Sequence, residues 1–123
     1  MKVVIDGKFH GMNEFIAANR VLRGGWSKGN AMKQDDQTII CTYLRASGIR
    51  KLKYPVVLKY TFFVDSKRRD KDNIAGYFHK VFQDSLVLCG ALPDDSWDYI
   101  TGFSDAFEID RKHPRVEVEI IET

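Results

Sequence analysis

A change of hydrophobic period near the middle of the chain constrains the fold more than any other feature of the sequence. From Pro55 the apolar residues stand at every second position, which is the pattern of a strand with one buried face. A polar run over 65–73 then leads into a segment with helical spacing that stops at Gly90. The strand is predicted to bury Val56, Leu58, Tyr60, Phe62 and Val64, and the helix Ile74, Phe78, Val81, Phe82, Ser85 and Cys89.

Two helices are predicted to precede this strand. After a short strand over 2–5, a helix over about 13–21 can be capped by its first residue, an asparagine. A basic, glycine-rich loop over 23–29 follows, and Asn30 can then cap a longer helix that stops at Gly48. The longer helix is predicted to bury Met32, Ile39, Ile40, Tyr43 and Leu44.

Two strands are predicted to follow the Gly90 stop. A loop over 93–97 leads to a strand whose inward residues are Tyr99, Thr101, Phe103 and Phe107. A turn over 110–114 leads to a last strand, with Val116, Val118 and Ile120 inside and Arg115, Glu117 and Glu119 outside. The order βααβαββ predicts one α+β domain over 1–123, in which a small mixed sheet is covered by helices.

Length and composition set the expected context. A chain of 123 residues with 44% hydrophobic residues can bury a core, but a domain this small gains from forming a homo-oligomer. No apolar run is long enough to span a bilayer, and the first residues lack the layout of a signal peptide, so no membrane partner and a cytoplasmic location are expected. Cys41 and Cys89 are far apart in apolar stretches and are expected to be reduced core thiols.

Charge is distributed unevenly along the chain, although the net charge is only +2. Residues 1–71 hold 15 Lys+Arg and 6 Asp+Glu, a balance of +9, and residues 72–123 hold 4 and 11, a balance of −7. Such a distribution favours a basic surface for a polyanion beside an acidic cluster. The alternative is that the two segments interleave in space, so that no polarity survives folding.

Aspartates gather where the central strand leads into the helix, at Asp70 and Asp72, and again in the next loop, at Asp94 and Asp95. Hydrolysis of a phosphodiester adds negative charge to anionic oxygens, and Mg²⁺ held by carboxylates can stabilise that charge. Simpler interpretations stand beside this one. Asp72 can cap a helix that starts at Asn73, and an aspartate pair after a proline is ordinary turn chemistry.

Basic residues flank the first aspartate pair. The candidates for phosphate contacts are Lys67, Arg68, Arg69 and Lys71, with Arg20, Arg23 and Lys28 as weaker candidates near the glycine-rich loop. Each phosphate that they neutralise would release counterions, so that binding would weaken steeply with salt. Trp26 in the same loop is a candidate for stacking on an unpaired base. The alternatives are a solvated basic loop and a tryptophan that anchors packing.

Several short motifs follow one another in a recognisable order. Basic residues lead into Asp-x-Asp-Asn at 67–73, a helix carries Lys80 and then Asp84-Ser85-Leu86, and an Asp-Asp pair follows at 94–95. The opening at 11–16 and the closing hairpin at 103–119 complete the set. In this order the chain resembles the RusA family of Holliday junction resolvases over nearly its whole length. The resemblance implies a RusA-like fold.

The resemblance also implies roles for individual residues. Asp70, Asp72 and Asp95 match the metal-binding carboxylates, for Mg²⁺ with Mn²⁺ as a substitute, and Asp95 is preferred to Asp94 because the family uses the second member of the pair. Lys80 matches the catalytic lysine, which would stabilise phosphate charge or orient the attacking water.

The lysine also marks a departure from the family. The family's lysine stands closer to the Asn, at the spacing where this chain has Gly76, and one extra helical turn before Lys80 accounts for the difference. The alternative for Lys80 is a solvated ion pair with Asp84 at i+4.

The function that the resemblance implies is that of an endodeoxyribonuclease. A homodimer would present two sites to a four-way DNA junction and nick it symmetrically, in recombination and repair of cellular or prophage DNA. The alternative, motivated by Gly76, is a non-catalytic module that binds branched DNA through phosphate contacts alone.

Overall fold

The chain forms one four-stranded sheet with helices packed against one of its faces. The computed structural model describes residues 1–20, 22–23 and 26–123, and only the backbone of 22, 23 and 26. The sheet strands are β1 (Lys2–Asp6), β4 (Val56–Val64), β5 (Ile100–Ile109) and β6 (Arg115–Glu122); the helices are α1 (Met12–Asn19), α2 (Lys28–Ala46) and α3 (Lys71–Leu88); and β2 (Leu22–Arg23) pairs with β3 (Trp26–Ser27). This is the small single-domain α+β architecture with a mixed sheet that the sequence predicts.

The topology of the main sheet determines which loops lie together. The strand order is β1-β6-β4-β5, with β4 parallel to β5 and the other pairs antiparallel. Because Val64 stands opposite Ile109, the carboxyl ends of β4 and β5 meet at one end of the sheet. Loop 65–70 and turn 110–114 therefore share that end. The loop from α3 to β5, residues 89–99, lies at the opposite end.

An aromatic cluster joins α3 to β4. Tyr60 and Phe62 of β4 are buried, and Phe78 of α3 packs against both, with ring centroids 6.0 and 5.7 Å away. Phe82, one turn later, lies 5.7 Å from the Tyr60 ring. The alternation of β4 and the inner face predicted for α3 are thus confirmed, and Gly90, with φ +81°, follows the helix in the left-handed region that favours glycine. Two of the residues predicted to be buried are only half-buried, namely Val64 at the end of β4 and Cys89, the C-cap residue of α3.

Two helix starts differ from the prediction. α2 begins at Lys28 rather than Asn30, because Ser27 is its N-cap and its hydroxyl accepts the Asn30 backbone N–H at 3.0 Å. The loop predicted over 23–29 is also wrong in part, because Arg23 belongs to β2 and Trp26–Ser27 form β3, two short paired strands that the predicted order βααβαββ lacks. α1 begins at Met12, with Gly11 at the N-cap position that was assigned to Asn13.

The buried faces also differ from the prediction in two places. Ile39 is 43% exposed, because the inner face of α2 runs through Asp36, Ile40 and Leu44 at i, i+4 spacing. In β5 a register shift between Val56 and Val57 of the neighbouring strand breaks the alternation. Tyr99 consequently precedes the strand and Thr101 is exposed, in contrast to the inward orientation predicted for both.

The basic and acidic segments of the sequence interleave in the sheet. β1 and β4 come from the basic segment, β5 and β6 come from the acidic one, and the two kinds alternate across the sheet. The alternative of interleaved segments is therefore correct, and any polarity has to be sought at the ends of the sheet. No helix within 1–20, 22–23 and 26–123 is both long and apolar enough to cross a membrane.

Candidate functional site

Asp70 and Asp72 lie at the N-terminus of α3, beyond the carboxyl end of β4. Asp70 is the N-cap residue, its side chain makes no capping hydrogen bond, and Asp72 stands in the first turn. Because α3 starts at Lys71, the alternative in which Asp72 caps a helix starting at Asn73 is wrong. Both carboxylates are exposed, and neither forms an ion pair with a described residue.

Asn73, next to this pair, holds the start of α1 against the start of α3. The Asn13 backbone N–H donates to Asn73 Oδ1 at 2.6 Å. Gly11 packs so closely that a Cβ there would stand 2.7 Å from Asn73 Cγ. The opening segment of the chain therefore braces the helix end that carries Asp72.

Replacement of Gly11 by alanine tests this bracing. The added methyl would push the Asn73 side chain away from Asn13, so Gly11→Ala should lower the free energy of unfolding by about 1–3 kcal/mol. Gly76→Ala is the matched control. Among the described residues, a Cβ at Gly76 meets only Met12 Cε, at 3.6 Å. Because alanine has a higher helix propensity than glycine, Gly76→Ala should raise the free energy of unfolding by about 1 kcal/mol. Urea denaturation of both variants measures the two effects, and equal stabilities would refute the bracing.

The basic residues of loop 65–70 are not equivalent. Lys67 and Arg68 are exposed and form no ion pair with a described residue. Arg69 is half-buried and donates from Nη2 to the Phe9 carbonyl at 2.8 Å, so its first role is to anchor the loop. Lys71 Nζ lies 5.5 Å from the centroid of the Phe107 ring. Lys67, Arg68 and Lys71 are therefore the cations of this loop best placed to meet an anion.

Two further cations lie at the same end of the sheet. Arg111 and Lys112 are exposed in the turn between β5 and β6, and the Asp110 N–H donates to the Val64 carbonyl at 2.8 Å, which ties this turn to the end of β4. In the sequence, Arg111 and Lys112 stand out only as residues of a predicted turn. The strand–helix–strand order of β4, α3 and β5 favours parallel pairing of the two strands. From that pairing, the turn after β5 could have been predicted to lie beside the loop after β4.

A pocket of about 320 Å³, here called the basic pocket, opens beside loop 65–70 at the carboxyl end of β5. Its apolar lining comes from both sheet and helix, and its rim carries cations. The lining residues are Val64, Ser66, Lys67, Arg69, Lys71, Ile74, Phe107, Glu108 and Ile109.

Asp95 lies at the opposite end of α3 from Asp70 and Asp72. It lines a shallow pocket with Asp84 and Asp94, and the rise along the helix from Asp72 to Asp84 alone is about 18 Å. The described residues contain no group of three His, Cys, Asp or Glu side chains able to hold a metal ion. The structure thus brings Asp70 and Asp72 together but not Asp95, and a three-carboxylate site within one chain does not form.

The surroundings of Asp95 disfavour its charged form. Partial burial, followed by the nearby carboxylates of Asp84 and Asp94, raises the pKa of Asp95 above its ordinary value. The pKa of Asp94 is lowered, chiefly because its carboxylate accepts the Asp95 backbone N–H at 2.8 Å. The two neighbours therefore differ in chemistry. Asp94 shapes the turn, whereas Asp95 carries a charge that a cation would stabilise.

The partial burial of Asp95, together with repulsion by Asp84 and Asp94, predicts that Asp95→Asn stabilises the fold. A carboxyl group whose pKa is raised by folding opposes folding when it is ionised, so its removal should increase Tm by about 1–3 °C at pH 7, the effect of roughly 0.5 kcal/mol. The gain should vanish below about pH 4, where aspartate is protonated in both states. Thermal melts at both pH values measure it, and a Tm below wild type at pH 7 would contradict the prediction.

Lys80 is exposed on α3, eight residues and about 12 Å of helical rise from Asp72. The alternative ion pair to Asp84 is absent among the described residues. The Asp84 carboxylate instead binds Lys33 Nζ of α2 at 2.5 Å. Lys80 thus forms no ion pair with any residue that the structure describes, and its catalytic role stays a prediction.

The weaker candidates lie near the α1–α2 connection. Lys28 is exposed at the first residue of α2, and Arg20 is exposed after α1. The side chains of Arg23 and Trp26 lie outside the described residues. Phosphate contacts by Lys28 and Arg23, like base stacking by Trp26, stay predictions.

The end of the sheet around Asp70 therefore combines two kinds of free charge. Asp70 and Asp72 present to solvent carboxylates that pair with no described residue, and Lys67, Arg68 and Lys71 present cations around them. Such an arrangement can hold a divalent cation next to a phosphate backbone. Comparison of the sequence with models of protein families and with curated proteins finds no significant match.

Proposed function

We propose that this protein is a Mg²⁺-dependent endodeoxyribonuclease that acts as a homodimer and resolves four-way DNA junctions by paired nicks. The observation that carries the proposal is the pair of unpaired carboxylates, Asp70 and Asp72, at a helix N-terminus flanked by exposed cations. Structural aspartates are usually occupied as caps or in ion pairs, whereas these two have no partner among the described residues. The motif resemblance to RusA resolvases supplies the substrate class.

The donor set at α3 suits magnesium. Asp70 and Asp72 offer hard oxygen ligands from an extended cap residue and the first helical turn, and neither forms an ion pair with a described residue that a metal ion would have to displace. A magnesium ion bound there would act as a Lewis acid toward a phosphate oxygen. Lys67, Arg68 and Lys71 would position the DNA backbone beside the carboxylates, and Arg111 and Lys112 would extend the contact along the same end of the sheet.

The separation of Asp95 from the other two carboxylates makes the homodimer part of the proposal. Within one chain, Asp95 lies beside Asp84, about 18 Å along α3 from Asp72. An Asp95 carboxylate can therefore join the metal site only if it comes from a partner chain. A two-fold dimer would contain two such composite sites, which suits a substrate that needs two opposed cuts. Lys80 would act from the exposed face of α3 toward the same phosphate.

Cleavage of a synthetic four-way junction tests the proposal. End-labelled junction and a linear duplex of the same sequence are incubated with the protein in Mg²⁺, in Mn²⁺ and in EDTA. We expect nicks in the junction alone, in either metal, with none in EDTA. Equal cutting of both substrates would indicate a nuclease without structure selectivity and would refute the proposal.

A second candidate is a non-catalytic module that binds branched DNA. The observation in its favour is that the described part of a single chain contains no group of three metal-binding side chains. It predicts tight junction binding in EDTA that weakens steeply with salt, no nicks in either metal, and unchanged binding by Lys80→Ala. Gel-shift titrations run beside the cleavage reactions separate the two candidates.

A further inference from the structure

We infer that the exposed edge of β5 pairs antiparallel with the β5 edge of a second copy, and that Trp97 of each copy docks in the pocket at the end of the partner's β5. This inference rests on the homodimer of the proposed function and names its surface. Three observations support it: the free edge of β5, the projecting Trp97 and the recessed pocket at the two ends of that edge, and the opposite charges around them.

The free edge of β5 is long enough to pair. β5 is the outermost strand of the sheet, spans ten residues and has β4 on one side only. The opposite edge strand, β1, has five residues. Phe103 points toward the helical face of the sheet, in line with Leu58 of β4, yet is 53% exposed because no residue that the structure describes covers it on the edge side. An uncovered edge with an exposed aromatic residue favours strand addition.

The two ends of this edge carry a matching projection and recess. Trp97, just before β5, is 92% exposed, which is unusual for so large an apolar side chain. It stands at a pocket of about 330 Å³ with Asp95, Gln83 and Phe103. At the other end of β5 lies the basic pocket of about 320 Å³, whose lining includes Ile74, Phe107 and Ile109. That volume can accommodate an indole on an apolar floor.

Only an antiparallel pairing brings these features together. A two-fold axis near the middle of β5 sets the start of each strand beside the end of its partner, so that Trp97 reaches the partner's basic pocket. With the axis beside Ser104, each Ser104 faces the partner's Ser104, each Asp105 faces the partner's Phe103, and no like charges of the two β5 strands are directly opposed. The sheet would become one of eight strands with both copies of α3 on the same face.

Charge favours the same arrangement. The segment that precedes β5 carries Asp94, Asp95 and Asp98, and the loop that borders the far end of β5 carries Lys67, Arg68 and Lys71. Antiparallel pairing places the acidic segment of each copy against the basic loop of the other, which steers association. It also moves the partner's Asp95 toward Asp70 and Asp72, the carboxylates that lack a third ligand within one chain.

Sedimentation equilibrium without DNA or metal tests the interface. We expect the wild type to have twice the 14.2 kDa chain mass, and Trp97→Ala to raise the dimer dissociation constant about 100-fold, because a buried tryptophan anchor is lost twice. Phe103→Lys should act in the same direction. Val4→Lys is the matched control, since Val4 is 39% exposed on the β1 edge, and it should leave the dimer intact.

Hydrogen exchange of the wild-type protein tests the same interface without relying on a variant that could misfold. The edge-facing amides of β5 should exchange slowly in concentrated protein and rapidly after dilution below the dissociation constant. Trp97→Ala and Phe103→Lys proteins as dimeric as the control would overturn this interface and leave the homodimer and the cleavage proposal to their own tests. A monomeric wild type would overturn both the interface and the homodimer of the proposed function, and the junction assay would then test nicking alone. If both variants lose the dimer but the wild-type protein does not nick junctions, the interface is supported and the proposed activity is refuted.

Discussion

Asp70→Asn should reduce the rate of Mg²⁺-dependent junction nicking about 1000-fold. The amide keeps the size of the side chain but loses the negative charge that would hold the cation, and a metal ion contributes several kcal/mol of charge stabilisation in such reactions. The exposed N-cap side chain makes no capping hydrogen bond, so the fold should be unaffected. Single-turnover nicking of an end-labelled junction, with protein in excess, measures the rate.

A neighbouring aspartate provides the matched control. Asp65 lies in the same loop, but its carboxylate is bound by Lys8, whose ammonium lowers the pKa of Asp65. Asp65→Asn should therefore nick at a rate within about threefold of wild type, since an exposed ion pair contributes little. Junction binding in EDTA should be preserved in both variants. Full activity of Asp70→Asn would remove this carboxylate from the site.

A mixture of two inactive variants should recover activity. If each site combines Asp70 and Asp72 of one chain with the partner's Asp95, then Asp70→Asn and Asp95→Asn are each inactive alone. Random reassociation makes half of the dimers mixed, and each mixed dimer holds one intact site of two, so about a quarter of the wild-type sites return. The two variants are unfolded together, refolded and assayed in the same nicking reaction.

The matched control for this rescue mixes Asp70→Asn with Asp72→Asn. Both changes then fall in the same half of each composite site, and no combination of subunits restores it. The rescued mixture should also give single nicks rather than paired ones, because only one site of a mixed dimer works. Equal activity of the two mixtures would mean that Asp95 does not act from the partner chain.

Periodicity predicted the elements that build the core. The alternation after Pro55 and the helical spacing up to Gly90 predicted β4 and α3, because their apolar residues meet in one buried cluster. The carboxylates at the junction of these two elements could be identified for the same reason. Asp70 and Asp72 are local to one strand–helix connection, and their proximity needs no knowledge of the rest of the fold.

The position of Asp95 could not be obtained in this way. An aspartate in the next loop can reach the same site only if the loop returns to the same end of the sheet, and the parallel register of β4 and β5 sends it to the other end. Arg111 and Lys112 were missed for the converse reason, since the same register brings their turn beside loop 65–70. Both facts depend on strand pairing between distant residues, which no local pattern contains.

Buried polar contacts are a second source of error. Asp36 is buried on the inner face of α2, where its carboxylate accepts the Tyr77 hydroxyl at 2.6 Å and lies 2.9 Å from His10 Nδ1. A prediction from hydrophobic periodicity places aspartate on the solvent-exposed face of a helix. For this reason the predicted buried face of α2 included Ile39 instead of Asp36. Only tertiary partners that satisfy the carboxylate make such a position tolerable in a core.

The positions of the nicks on a four-way junction show whether the protein is a dimeric resolvase with two composite sites. Each of the four strands is end-labelled in turn, and the wild-type protein is incubated with the junction in Mg²⁺ and in EDTA. A dimer with two composite sites should nick two strands of like polarity at two-fold related positions near the branch point, in Mg²⁺ only. Binding without nicks, or nicks scattered equally over junction and linear duplex, would contradict this proposal.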